Sequence, residues 1–273
     1  MSTRSKVGLL FLIVVVIATT TITIIHSQQK QNTTSLKKTF DDEYVPITDF
    51  NKPLPTDVKE KDKRLKRSKR GNIELGPRTG VTDPKRFMLT EERYSGYGGF
   101  STHAPVEPAI PAAKSDVVIT GEITKAEAFL TEDKVSIYSE FTVNVNSILK
   151  NSTSEDINIG DSITISRGGG GVRMPSGKII KRIFDGKPMP QTGSKYILFL
   201  KYETEGKDYP LITAYELRDK KIFPLDGLNR HGDIIYQLTS HQSYKGMSEI
   251  DFLNLVQQAI NISEDLFEKK EGQ

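Results

Sequence analysis

From Val7 to Ile25 the chain reads VGLLFLIVVVIATTTITII, without a charged side chain. No other stretch limits the possible folds so strongly. A membrane-spanning helix needs about 20 predominantly apolar residues to cross roughly 30 Å of hydrocarbon, and this run has that length. Thr19, Thr20, Thr21 and Thr23 weaken its distal half, but a threonine hydroxyl bonds back to its own helix and is tolerated in lipid. Arg4 and Lys6 precede the run, and the positive-inside tendency holds residues 1–6 in the cytoplasm and sends the rest of the chain outward. Lys30, Lys37 and Lys38 on the far side blunt that asymmetry. Residues 7–25 are therefore expected to be a single-pass transmembrane signal-anchor. A cleaved signal peptide is the alternative, which would make the protein secreted or periplasmic. Against it stand the length of the run and a poor cleavage site, with Ile25 and Ser27 where small residues are wanted.

Residues 26–114 show no sustained apolar periodicity and are rich in Lys, Asp, Glu, Thr, Pro, Gly and Gln. Such a composition buries too little apolar area to offset the entropy of ordering, so a flexible, disordered spacer is expected. Within it, Lys59, Lys61, Lys63, Arg64, Lys66, Arg67, Lys69 and Arg70 form a basic run. It reads either as a solvated, self-repelling linker or as a patch for anionic lipid heads, cell-wall polymers or nucleic acid. Arg67-Ser68-Lys69-Arg70 also resembles a dibasic processing site. Tyr94, Tyr97 and Phe100 alternate with glycines, and Pro105, Pro108 and Pro111 stiffen the chain ahead of residue 115.

From residue 115 to 227 the texture changes to short β-rich runs separated by turn residues. Val117–Ile123 comes first. Val135–Leu149 is next, alternating through Phe141, Val143 and Val145 with Thr142 and Asn144 between them. Ile163–Ile165, Ile179–Phe184, Tyr196–Leu200, Leu211–Leu217 and Lys221–Phe223 complete the set. The expected fold is mainly β, a small antiparallel barrel of five to seven strands with Tyr196–Leu200 at its centre. In residues 228–273, a connector leads to Ser248-Glu-Ile-Asp251, a capping box ahead of Phe252, Leu253, Leu255, Val256 and Ile260. A C-terminal α-helix laid against the barrel is predicted.

Ser115-Asp116-Val-Val-Ile-Thr-Gly121, Phe141-Thr-Val-Asn-Val, Gly160-Asp161-Ser-Ile-Thr-Ile and Gly193-Ser-Lys-Tyr-Ile-Leu-Phe-Leu200 together resemble uncharacterised bacterial envelope proteins with an OB-like barrel. More remotely they resemble netrin-type modules. The resemblance implies a fold and no functional residue. Netrin-type inhibitors work through an N-terminal cysteine and disulfides; this chain has no Cys, so that activity does not carry over. The lack of Cys also removes thiolate metal ligands and cysteine nucleophiles, and leaves the exported domain to stand on its core alone.

Two groups of residues invite chemistry. Arg167, Gly168, Gly169, Gly170, Gly171, Arg173 and Lys178 combine four glycines with three cations and form a candidate binding loop for an anion, polysaccharide or partner. The plainer expectation is a hairpin loop. A nucleotide-phosphate loop is excluded, because Val172 and Ile179 stand where Gly and Ser or Thr are needed. Asp226, His231 and His241 would serve an extracytoplasmic hydrolase if they converged, but their spacing matches no metal-ligand motif. With 38 basic against 35 acidic residues, net +3, nothing favours nucleic acid. The reading is a binding or interaction protein of the cell envelope, not an enzyme, without cofactor or metal, reaching the membrane through residues 7–25 and an envelope polysaccharide or protein through its domain.

Overall fold

The computed structural model describes residues 44–75, 90, 96–98, 106–228 and 232–271. The segment expected in the membrane, 7–25, lies outside them. Among the described helices none is long and apolar enough to cross a bilayer.

The domain is mainly β. In chain order it runs β1 (Ile47–Asp49), α1 (Val58–Leu75), β2 (Gly96–Gly98), β3 (Val117–Leu130), β4 (Ile137–Asn151), β5 (Ser162–Gly168), β6 (Gly170–Arg173), β7 (Ile179–Phe184), β8 (Lys195–Leu200), β9 (Tyr209–Arg218) and β10 (Lys221–Pro224). A 3₁₀ turn (Tyr236–Leu238), the short α2 (Thr239–Gln242) and the long α3 (Glu249–Glu271) end the chain. Six strands form one sheet in the order β10-β9-β5-β4-β3-β8, in which β9 also pairs with β8. Most ladders are antiparallel; the β5–β9 pairing, Ile165 opposite Tyr209, is parallel.

The alternation in β4 does what its pattern predicts. Phe141, Val143 and Val145 are buried, while Thr142 and Asn144 are half-buried on the other face. Strand β8 is buried along Tyr196–Leu200 because it is covered twice. Ile197 and Phe199 join Val118, Tyr215 and Ile222 against Phe252, Val256 and Ile260 of α3. The predicted cap is present, with Ser248 Oγ accepting from the Asp251 backbone N–H at 3.1 Å and donating to Asp251 Oδ2 at 2.8 Å. Burying such side chains contributes roughly 1.5–3 kcal/mol each.

Three features depart from the sequence reading. First, β3 runs well beyond its expected end at Ile123, reaching Leu130, and β4 begins at Ile137, just inside the expected Val135–Leu149 run, after a turn at 131–136. Register shifts between Ile123 and Lys125 mark the bend where β3 leaves the first core. Second, Ile179–Phe184 does not join the six-stranded sheet. With β6 it forms a hairpin in a separate sheet ordered β1-β6-β7-β2, where the outer strands pair in parallel. Its Val172, Met174 and Ile180 close a second core with Ala128 and Ile137 from the extended β3–β4 arm. Third, the stretch expected to be a spacer supplies β1 and β2, which pair with β6 and β7, and the helix α1.

The glycine run explains the second departure. It does not form a hairpin loop: Arg167 to Val172 are buried along the end of β5 and in β6. Gly170 adopts φ +141, and a Cβ there would stand 2.8 Å from Ser139 Oγ and 3.0 Å from Ile137 Cγ2. Only a residue without a side chain lets β6 cross this close to the β3–β4 arm. Gly170→Ala is therefore expected to cost about 2–4 kcal/mol. Gly177→Ala, at the open β6–β7 turn where nothing lies within 4 Å, should cost only about 1 kcal/mol. Paired denaturant melts check the difference; equal costs would mean that the run is a loop.

Candidate functional site

Helix α1 begins with a cap that the basic composition hides. Asp57 Oδ1 accepts the Glu60 N–H at 2.8 Å, and Glu60 reaches Arg64 one turn on at 3.1 Å, with Asp62 and Lys66 paired likewise at 2.9 Å. An acid preceding a base by four residues supports an exposed helix. Of the side chains described along it, Arg67 and Ser68 are the buried ones. Arg67 donates from Nε to Gly206 O at 2.9 Å and from Nη2 to Lys207 O at 3.4 Å, both in the β8–β9 turn. Its Nη1 lies 3.0 Å from Glu140 Oε2 on β4, and its Nε lies 3.8 Å from Asp208 Oδ1. Burial pushes the Glu140 carboxyl above its ordinary range, and the Arg67 and Arg64 guanidinium groups pull it back only in part. Ser68 Oγ accepts the Glu132 N–H at 2.7 Å. Burying Arg67 and Ser68 also closes the resemblance to a processing site at its first two positions.

Docked this way, α1 walls one side of a cleft of about 200 Å³. The end of β1 and the Phe50–Leu54 loop form the opposite side, and the β3–β4 arm forms the floor. Three aromatic rings line it, Phe50, Phe129 and Tyr138. Arg64 Cζ sits 3.9 Å over the Phe129 ring, Lys52 Nζ lies 5.0 Å from the same ring, and Lys134 Nζ is 4.1 Å over Phe50. Cations so placed are attracted by the ring quadrupoles; Lys52 Nζ also meets Glu127 Oε1 at 3.4 Å and Arg64 Nε meets Glu60, so each keeps only part of its N–H set for a ligand. Lys134 adopts φ 56 in the turn, a left-handed conformation that costs a non-glycine residue free energy. Thr48, Ser68, Thr131 and Tyr138 add hydroxyls, of which Thr131 Oγ1 is engaged by Asp133 and Ser136 and Ser68 Oγ by the Glu132 N–H, and Asp49 and Glu132 are the acids of the lining. The arrangement can hold an anionic, hydroxyl-bearing ligand by donors on several sides.

The residues singled out from the sequence are divided. Arg167 and Gly168–Gly171 are buried, whereas Arg173 and Lys178 are exposed on the β6–β7 hairpin. Arg173 meets Asp49 at 3.3 Å, on the rim of the cleft. Arg167 instead turns inward, its Nη2 2.5 Å from Asp226 Oδ1. Asp226 and His241 are both fully buried. The His241 ring stacks on Tyr215 at 6.3 Å, and its Nδ1–H donates to Leu238 O at 3.1 Å. His231 lies outside the described residues. Among the described residues, Arg167 Nε and Nη1, Asp226 Oδ2 and His241 Nε2 have no hydrogen-bond partner, and no group of His, Asp or Glu side chains is arranged to hold a metal ion.

Sequence reasoning missed Glu140 and Asp208 and the cleft cations Lys52 and Lys134; Arg64 and Arg67 it placed only in a basic run of the spacer, without their partners. The Asp57-x-x-Glu60 cap was the available signal for α1. Comparison with known proteins adds no identity: no family model matches the chain, and no curated protein matches its sequence.

Burial holds His241 neutral and lowers its pKa, against the opposing pull of Asp226 and Leu238 O. The unfolded chain, with an ordinary histidine near 6.5, takes up a proton that the native state refuses, so stability falls as pH drops below about 6.5 toward the depressed native value. The slope approaches about 1.4 kcal/mol per pH unit. Melting temperatures followed from pH 7.5 to 5 should decline less steeply for His241→Gln than for the wild type; identical slopes would contradict the assignment.

Proposed function

We propose that this chain is an extracytoplasmic binding protein of the cell envelope, exported and held by residues 7–25, and that it takes up an anionic, hydroxyl-rich ligand in the cleft beneath α1. The observation that carries the reading is the cleft lining, in which Lys52, Arg64 and Lys134 are poised over Phe50 and Phe129 beside four hydroxyl groups. Strain at Lys134 supports it further, since strained backbone clusters where a side chain must be aimed. The ligand class that matches is an acidic envelope polysaccharide, one ring of which fits the volume while its carboxylates meet the cations.

The scaffold is read as an OB-like barrel. Supporting this is the ring of pairings that runs β5-β4-β3-β8-β9 and returns from β9 to β5. A binding role is favoured over hydrolysis because Asp226 and His241 lie away from solvent, with Asp226 engaged by Arg167.

Calorimetric titration of the purified protein with an acidic uronic-acid oligosaccharide and with a neutral glucan oligosaccharide tests the reading. Binding to the acidic probe should weaken steeply as salt rises. Lys134→Ala and Lys52→Ala should each weaken it about fivefold, the effect of one cation near an anionic partner. Salt-insensitive binding, equal affinity for the neutral probe, or no binding of either probe would contradict the proposal.

A further inference from the structure

Helix α1 is held to the domain in an unusual way. A surface helix normally docks through an apolar stripe. Over residues 58–69 this one has only Val58 and Leu65 as large apolar residues; Val58 is 78% exposed and Leu65 half-buried. What enters the domain is the Arg67 guanidinium.

The pocket that receives it is built by the domain. Its parts are Glu140 on β4 and the Gly206, Lys207 and Asp208 positions of the β8–β9 turn, which offer two backbone carbonyls and two carboxylates. Both acids are buried, Asp208 completely. Glu140 engages Arg67 through Oε2, while its Oε1, also buried, has no partner among the described residues. Glu140 thus keeps acceptor capacity that the single guanidinium inside the pocket does not use. A planar, five-donor fork suits such a set of acceptors far better than a lysine ammonium does.

Simple opening is opposed by the same charges. Withdrawing Arg67 takes from the buried Glu140 carboxylate the guanidinium that it meets at 3.0 Å, which is strongly unfavourable. Withdrawal becomes accessible when another guanidinium takes the place. We infer that the Glu140–Asp208 pocket is an arginine-recognition site filled in cis by Arg67, and that α1 is a displaceable plug whose position an arginine-bearing basic helix of a partner protein can occupy. Exchange has a consequence for the cleft, because Arg64, Leu65 and Ser68 of α1 form one of its walls. A partner helix in the pocket and a saccharide in the cleft therefore oppose each other, and linkage makes that antagonism reciprocal.

The test uses the full chain. In Arg67→Ala the pocket is vacant, and millimolar N-ethylguanidinium should produce a saturable rise in Tm of about 2 °C or more. Ethylammonium at the same concentration should produce none, the wild type should respond to neither, and Arg67→Ala/Glu140→Gln should lose the response. A labelled peptide of residues 58–75 should bind Arg67→Ala at least tenfold more tightly than the wild type, and the same peptide carrying Arg67→Ala should not bind. If Arg67→Ala does not fold, Arg67→Lys is the variant measured, with the same ordering expected because the guanidinium outcompetes the ammonium. A response that does not distinguish guanidinium from ammonium, or peptide binding indifferent to the peptide's arginine, overturns the inference. Neither readout involves a saccharide, so its failure leaves the cleft reading standing, and the failure of the cleft titration leaves the pocket untouched.

Discussion

The placement of the Arg67 guanidinium between Glu140 and the β8–β9 turn is the constraint on which the candidate site depends. Without it, a helix with a basic surface and little apolar area has no reason to lie on a sheet. With it, α1 is fixed against β4 and β5, Ser68 meets the β3–β4 turn, and Arg64 is carried over Phe129. The cleft is a product of that one docking. Removing one partner of a buried ion pair typically costs about 3–5 kcal/mol, because the remaining charge stays buried without compensation.

The second sheet depends on a different constraint, the lack of a side chain at Gly170. Close approach there lets the β6–β7 hairpin fold onto the β3–β4 arm and sets β1 beside β6. Phe50 and the rim residue Asp49 are thereby brought to the cleft. The glycines and Arg167 thus contribute to architecture, and Arg173 is the member of that run that reaches the rim. Deep in the domain, the Arg167–Asp226 pair and His241 form a second buried polar cluster.

Much of the β domain was legible in the sequence because alternation and caps are local signals. Phe141, Val143 and Val145 announced one buried face, and Ser248 with Asp251 announced the start of α3. The diversion of Ile179–Phe184 was not legible, since period-2 patterning states that a strand has faces but not which sheet it joins. The end of β3 was hidden by Lys125, Glu127 and Ala128, weak strand formers that pairing with β4 overrides. Averaged over residues 26–114, composition spoke for solvated chain and diluted the Asp57–Glu60 cap. A single buried arginine has no periodicity, and its partners Glu140 and Asp208 lie far along the chain, so the cleft could not be read from sequence.

Amide hydrogen exchange across residues 58–69, in the wild type and in Arg67→Met, tests the central claim most directly. The account predicts that these amides are protected in the wild type and exchange at near-free rates in the variant, while the β3–β4 amides stay protected in both. Free exchange in the wild type, or protection that survives the loss of the guanidinium, would contradict it.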